Sequence, residues 1–130
     1  MKWIVLLGRI LFAAIFILLS VGHFSKGGID YAATHGVPMA GALVPISGIL
    51  ALLGGLSILI GYKARVGAWL IVIFLVIITC TMHRFWAETD PMHMQLQMVM
   101  FLKNICMLGG ALLITYFGAG PLSIDHRSKR

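Results

Sequence analysis

A few polar side chains interrupt long apolar stretches of this sequence. Arg9 lies within the first apolar run, and Lys103 and Asn104 lie within the last. A charge in hydrocarbon costs at least about 2.5 kcal/mol by insertion scales, so it normally faces protein, water or a membrane interface. A lysine in such a place must lose its proton, pair with an anion or reach water. These residues could therefore hold an anion inside a membrane.

Other polar residues extend this set. Arg9, Ser20 and His23 fall within about 60° of one another at 100° per residue, so they share one face of a helix. His83 ends the third apolar run at the depth where His23 ends the first. We expect a polar cavity between the first and last membrane helices, with these candidate residues: Arg9, Ser20, His23, His83, Lys103 and Asn104. Its occupant would be a lipid headgroup, a sulfur oxyanion or a reduced quinone.

Three alternatives stay open for the same residues. Lys103 could bond backbone carbonyls at a helix break or a subunit contact. The two histidines could hold a haem iron, or simply bond a carbonyl or headgroup.

Sulfur and imidazole side chains gather after the third apolar run, a combination that suits copper(I). Because methionine is also an ordinary apolar filler, we predict no dedicated metal site. The residues kept as weak metal candidates are His83, Met92, His93 and Met94. The two cysteines form no CxxC pair, which excludes a thioredoxin-type motif and a zinc knuckle.

The composition shows which elements must position these residues. The chain of 130 residues is 60% hydrophobic and 11% charged, whereas soluble domains are about 25% charged. Lipid must therefore cover most of the surface, and we predict an all-α integral membrane four-helix bundle. Apolar runs long enough to cross a bilayer predict helices over residues 3–22, 38–61, 64–82 and 95–117, within one transmembrane domain covering 1–130.

The cations predict the orientation of this bundle. Positive charge stays on the cytoplasmic side of a membrane, so both termini should be inside. Only Lys26 and Arg84 fall on the opposite side, against Lys2, Lys63, Arg65, Arg127, Lys129 and Arg130. The net charge of +6 is thus explained by topology and anionic lipid, and nucleic acid is not a predicted partner.

The carboxylates exclude one class of function. All of them lie in loops or the tail: Asp30, Glu88, Asp90 and Asp125. Small exporters driven by protons need a membrane carboxylate to carry the proton, so that class is disfavoured.

The second predicted helix has a stripe of small residues. Gly41, Gly48 and Gly55 are spaced by seven, which lets helix backbones approach closely. The stripe predicts packing, either within this chain, in a homo-oligomer or against another membrane protein.

Several segments in order resemble the DoxX family of small bacterial membrane proteins. They are Gly8-Arg9, Gly54-Gly55-Leu56 with Gly61, Arg65, His83-Arg84-Phe85-Trp86, Phe101-Leu102-Lys103-Asn104 with Gly109-Gly110, and Gly118-Ala119-Gly120-Pro121-Leu122-Ser123-Ile124-Asp125. The family often has a glutamate four residues before the second glycine of the first pair, where this sequence has Ala51.

The resemblance implies a multi-pass protein of the bacterial inner membrane. It also implies a redox-linked subunit that works with quinone or in thiol and sulfur oxidation, beside an oxidoreductase partner. The alternatives are a non-catalytic membrane anchor or assembly partner, and a copper-handling protein. No catalytic residue is predicted, because fold does not fix function.

Overall fold

The computed structural model describes residues 1–128, which form helices joined by short turns. The helices are α1 (Lys2–Ser20), α2 (Lys26–Thr34), α3 (Ala40–Ile60), α4 (Ala64–Met82), α5 (Pro91–Phe117) and α6 (Ile124–Arg127). Short 3₁₀ turns follow α1 at Val21–Phe24 and precede α5 at Phe85–Ala87. Lys129 and Arg130, two of the cations assigned to the cytoplasmic side, lie outside the described residues.

Four of these helices are long and apolar enough to cross a membrane: α1, α3, α4 and α5. Large apolar side chains remain exposed along them, for example Leu11, Leu18, Val66 and Leu113. Such an apolar outside is the surface that a bilayer covers. The predicted all-α membrane bundle is confirmed, and the described residues contain no strand.

Close packing joins the spans in a row, because α1 packs on α3, α3 on α4 and α4 on α5. Phe16, Ile58, Ile71 and Leu75 form the centre of the core that they share. Between α1 and α5 the contact relies on side chains. A Cβ added to Gly110 would lie 2.9 Å from the ring of Phe12.

The glycines of α3 serve this packing inside the chain. A side chain at Gly48 would collide with His23, and one at Gly55 would collide with Ile17 of α1. Next to the stripe, Gly54 lies against the backbone carbonyl of Gly67 in α4. Of the stripe, only Gly41 faces open space. Gly48 and Gly55 of the stripe therefore bring α3 close to α1 and the turn after it.

Both described terminal regions lie at one end of the bundle, which we call the terminal end. Arg9 of α1 contacts the segment after α5, and Asp125 accepts hydrogen bonds from the backbone N–H groups of Lys63 and Ala64. The opposite end, which carries α2 and both 3₁₀ turns, is the loop end.

The loop end contains more helix than the sequence predicts. The predicted helices 3–22 and 38–61 leave residues 23–37 as a connecting loop, yet Lys26–Thr34 form α2. Ser25 caps it by accepting from the N–H of Gly28 at 3.0 Å, and Ala32 packs against Ala40 and Val44 of α3. This burial outweighs the low helix propensity of the two glycines in the first turn.

The last span begins earlier than its predicted start at residue 95. Asp90 accepts from the N–H of His93 at 3.0 Å, and Pro91 occupies the first turn. An aspartate cap followed by proline is a common helix start, so α5 includes Met92, His93 and Met94.

Candidate functional site

A cavity of about 90 Å³ lies between the four spans near the loop end. Apolar side chains, such as Phe16, Phe74 and Leu75, form most of its wall. Its polar lining consists of five of the six residues that the sequence singles out: Ser20, His23, His83, Lys103 and Asn104. The fold thus brings residues from α1, α4 and α5 to one small space.

Asn104 lies at the wall of this cavity and is only 4% exposed. Among residues 1–128 its amide has no described hydrogen-bond partner, and because Nε of Arg9 is the one fully buried side-chain atom without a partner, the amide of Asn104 must reach the space of the cavity. An amide at the wall of an apolar cavity normally meets water or a ligand, because leaving it unpaired away from water would cost about 1 to 3 kcal/mol. The amide of Asn104 is therefore available to an occupant of the cavity, either water or a ligand.

Lys103 lines the cavity next to Asn104 and is partly buried. The single salt-bridge geometry among residues 1–128 joins His93 to Asp90, at 3.8 Å, and so leaves Lys103 out. No carboxylate of the described residues forms an ion pair with Lys103.

His83 is held by a residue that the sequence analysis missed. Nδ1 of His83 lies 2.8 Å from Oε1 of Gln97, which is itself buried. Gln97, Asn104 and Ala111 are the buried residues of α5, and they are spaced by seven. Residues seven apart share a helix face, so this spacing could have identified Gln97 from Asn104.

The α1 side of the cavity is arranged by local hydrogen bonds. Ser20 donates its hydroxyl to the carbonyl of Ile17 at 2.7 Å, which leaves its oxygen as an acceptor. Nδ1 of His23 lies 3.1 Å from the carbonyl of Leu19, and the ring meets the ring of Phe74 edge-on at 5.7 Å. These contacts fix both side chains at the cavity wall.

Arg9 is the exception among the predicted site residues. It is buried at the terminal end, where it donates to the carbonyls of Ala119 at 2.9 Å, Pro121 at 3.4 Å and Leu122 at 2.7 Å. Its position near the start of α1 lets it reach these carbonyls at the membrane boundary. The expectation that Arg9 lines the cavity is corrected accordingly: it shares a helix face with Ser20 but lies too far along α1.

The weak metal candidates have different surroundings in the structure. His83 bonds Gln97, whereas His93 lies beside Asp90 at the exposed start of α5. Met92 is 77% exposed. Among residues 1–128, no group of three or more His, Cys, Asp or Glu side chains is arranged to hold a metal ion.

Ala51 of α3 also lines the cavity, and it is 1% exposed. This is the position where the DoxX pattern often has glutamate. A carboxylate there would enter the same space as Lys103. With alanine, that space stays free.

Comparison with known proteins finds one family model, that of the SURF4 family, which matches residues 1–130. The inner membrane protein YqjF of Escherichia coli is 33% identical over 94% of this chain and 89% of its own length. The inner membrane protein YphA of the same organism is 26% identical over 95% and 89%. The yeast ER-derived vesicles protein ERV29 is 30% identical over 62% of this chain and 26% of its own length.

No solved structure matches the chain significantly. The resemblance to the DoxX family is confirmed only at the level of a small family of membrane proteins. The predicted location is confirmed: the chain is a multi-pass protein of the inner membrane.

Proposed function

We propose that this chain, which belongs to the SURF4 family, binds a small anion inside the membrane, in the cavity lined by Lys103 and Asn104. The observation that carries the proposal is the buried amide of Asn104, which lines the cavity without a described hydrogen-bond partner, next to a lysine without a counter-ion. An anion satisfies both groups at once.

The lining supplies the donors that an anion requires. An ammonium group offers three N–H donors and an amide offers two. Charge-assisted hydrogen bonds of this kind are about twice as strong as neutral ones, and the surrounding apolar wall strengthens them further. The Ser20 hydroxyl already donates to the carbonyl of Ile17, so the donors to an anion come from Lys103 and Asn104.

The size of the cavity selects the class of ligand. About 90 Å³ is less than the roughly 150 Å³ of a protein cavity that holds benzene. A quinone ring is larger than benzene, so the cavity does not fit a quinone in this arrangement of the helices. A halide or a small oxyanion fits, and so do a few water molecules, which need about 30 Å³ each.

The redox-linked role with an oxidoreductase partner is a narrower form of this proposal. It would require a sulfur oxyanion as the occupant, with the electrons handled by the partner. The buried donors support the oxyanion, and nothing in the lining supports the electron transfer.

Thermal unfolding of the purified protein tests the anion site, because a ligand that binds only the folded state stabilises it by RT ln(1 + [L]/Kd). Thiosulfate and chloride serve as probes. We expect each bound probe to raise the unfolding temperature of the wild type but not of Lys103→Met, which keeps the length and apolar bulk of the side chain. Lys26→Met removes a cation from the exposed start of α2 and is the matched control.

Equal stabilisation of Lys103→Met and wild type by the anions would refute the proposal. The proposal would also be refuted if an organic extract of the purified wild type contained quinone and that of Lys103→Met did not. That result would favour the redox-linked role.

A further inference from the structure

A second, wider cavity of about 320 Å³ opens at the terminal end, far from Lys103. The turn before α4, the end of α5 and the tail form its wall, which includes Lys63, Arg65, Phe117, Ser123, Asp125 and His126. We propose that this cavity binds the phosphate group of an anionic phospholipid from the adjacent leaflet.

The charge of the cavity favours a phosphate. Lys63 and Arg65 both line it, and among residues 1–128 neither takes part in a salt bridge. The carboxylate of Asp125 is engaged, because its two oxygens accept from the N–H groups of Lys63 at 2.8 Å and Ala64 at 2.9 Å. Lys63 and Arg65 therefore outnumber the single carboxylate of the lining, which keeps its negative charge.

A third cation lies behind the wall. Ala119 lines the cavity, and its carbonyl accepts from the buried guanidinium of Arg9. The described hydrogen-bond partners of Arg9 are neutral carbonyls, and its Nε has no partner. A phosphate in the cavity would lie near this buried cation, on which the Asp125 carboxylate already acts, and its field would offset more of the cost of burying it.

The position of the cavity favours a lipid over a free phosphate ion. Trp3, Tyr62, Tyr116 and Phe117 are exposed around the same end. The ammonium of Lys63 lies 5.7 Å from the centre of the Tyr62 ring. Aromatic side chains interleaved with cations are typical of the headgroup layer of a membrane. Phe117 also lines the cavity, which gives a lipid chain an apolar contact.

Lipid binding by the detergent-purified protein tests the proposal, read by native mass spectrometry with added phosphatidylglycerol or phosphatidylcholine. Each cation near an anionic lipid contributes about a factor of five to affinity. We therefore expect the double variant K63Q/R65Q to bind phosphatidylglycerol roughly 30-fold more weakly, with a smaller loss for phosphatidylcholine, because its choline cation offsets the charge of the same phosphate group. The control K2Q/R127Q removes equal charge from the same end but outside the cavity lining.

Three outcomes would overturn the inference. The first is an equal loss of phosphatidylglycerol affinity in the control K2Q/R127Q, which would indicate that the lipid is attracted by all the cations of the terminal end. The second is displacement of phosphatidylglycerol by millimolar inorganic phosphate, which would assign the cavity to a free ion. The third concerns the single variants R65K, which keeps the positive charge, and R65Q, which removes it. An equal loss of phosphatidylglycerol affinity in both would show that the charge of Arg65 does not bind the phosphate. The unfolding temperature of each variant checks that it is folded.

Discussion

Nδ1 of His83, just after α4, lies 2.8 Å from the side-chain oxygen of Gln97 in α5. With the amide in this orientation the oxygen accepts the hydrogen bond from Nδ1, and Nε2 of the ring is left as the acceptor nitrogen. The pair ties the end of one span to the next and holds the imidazole at the wall of the cavity.

Gln97→Leu should loosen this imidazole. The variant replaces a buried amide by an apolar group and leaves His83 without its partner, which costs about 1 to 3 kcal/mol of stability. We expect a lower unfolding temperature and a weaker stabilisation by thiosulfate. Gln95→Leu, on the exposed side of the same helix, should change neither, and a similar effect of both variants would contradict the assigned role of Gln97.

Ala51→Glu should close the anion site from within. A glutamate at this position would place a carboxylate in the space that Lys103 lines, and the pair would neutralise each other. We expect the variant to lose its stabilisation by thiosulfate and chloride. Ala51→Gln has nearly the same volume without the charge, so it separates neutralisation from filling. If Ala51→Gln and Ala51→Glu lose the anion response equally, occupied volume and not charge explains the effect.

Two alanine substitutions in α3, Gly48→Ala and Gly41→Ala, should have opposite effects on the stability of the protein. A Cβ at Gly48 would lie 2.6 Å from the Cβ of His23, whereas nothing lies within 4 Å of one at Gly41. Gly48→Ala overpacks the α1 side of the cavity and should cost about 1 to 3 kcal/mol. Gly41→Ala should be neutral or stabilising by up to about 1 kcal/mol, because alanine is the better helix former. Chemical or thermal unfolding of both variants measures the difference.

Both termini are predicted to be cytoplasmic. A reporter fused after Arg130 should show cytoplasmic activity, and one inserted near Asp30 should show periplasmic activity, because most loop cations lie at the terminal end. A periplasmic signal from the C-terminal fusion would reverse the orientation. It would also place the proposed phospholipid site in the outer leaflet.

The spans and most of the cavity residues follow from the sequence because both depend on local patterns. Twenty apolar residues identify a span without knowledge of its neighbours, and a polar residue inside one must avoid lipid. Lys103 and Asn104 could be selected on that basis alone. To place them in one cavity with His83, it was enough to assume that the spans form a single bundle.

The remaining features depend on contacts between distant segments. Arg9 reaches carbonyls 110 to 113 positions away along the chain, and no local pattern indicates which backbone groups will be there. Helix α2 forms because Ala32 packs against Ala40 and Val44, although its glycines disfavour helix. Gln97 lies in a methionine-rich stretch that suggested copper, and this interpretation hid its spacing of seven from Asn104.

The contact between Arg9 and the tail has a consequence for biogenesis. When the ribosome delivers α1 to the membrane, the carbonyl of Ala119 lies 110 residues away and, at about 5 to 20 residues per second, is synthesised roughly ten seconds later. During that interval the guanidinium must be solvated by water, headgroups or the insertion machinery. Completion of the tail then gives the guanidinium its carbonyl partners, so a nascent chain that stops short of Ala119 would keep this arginine without them.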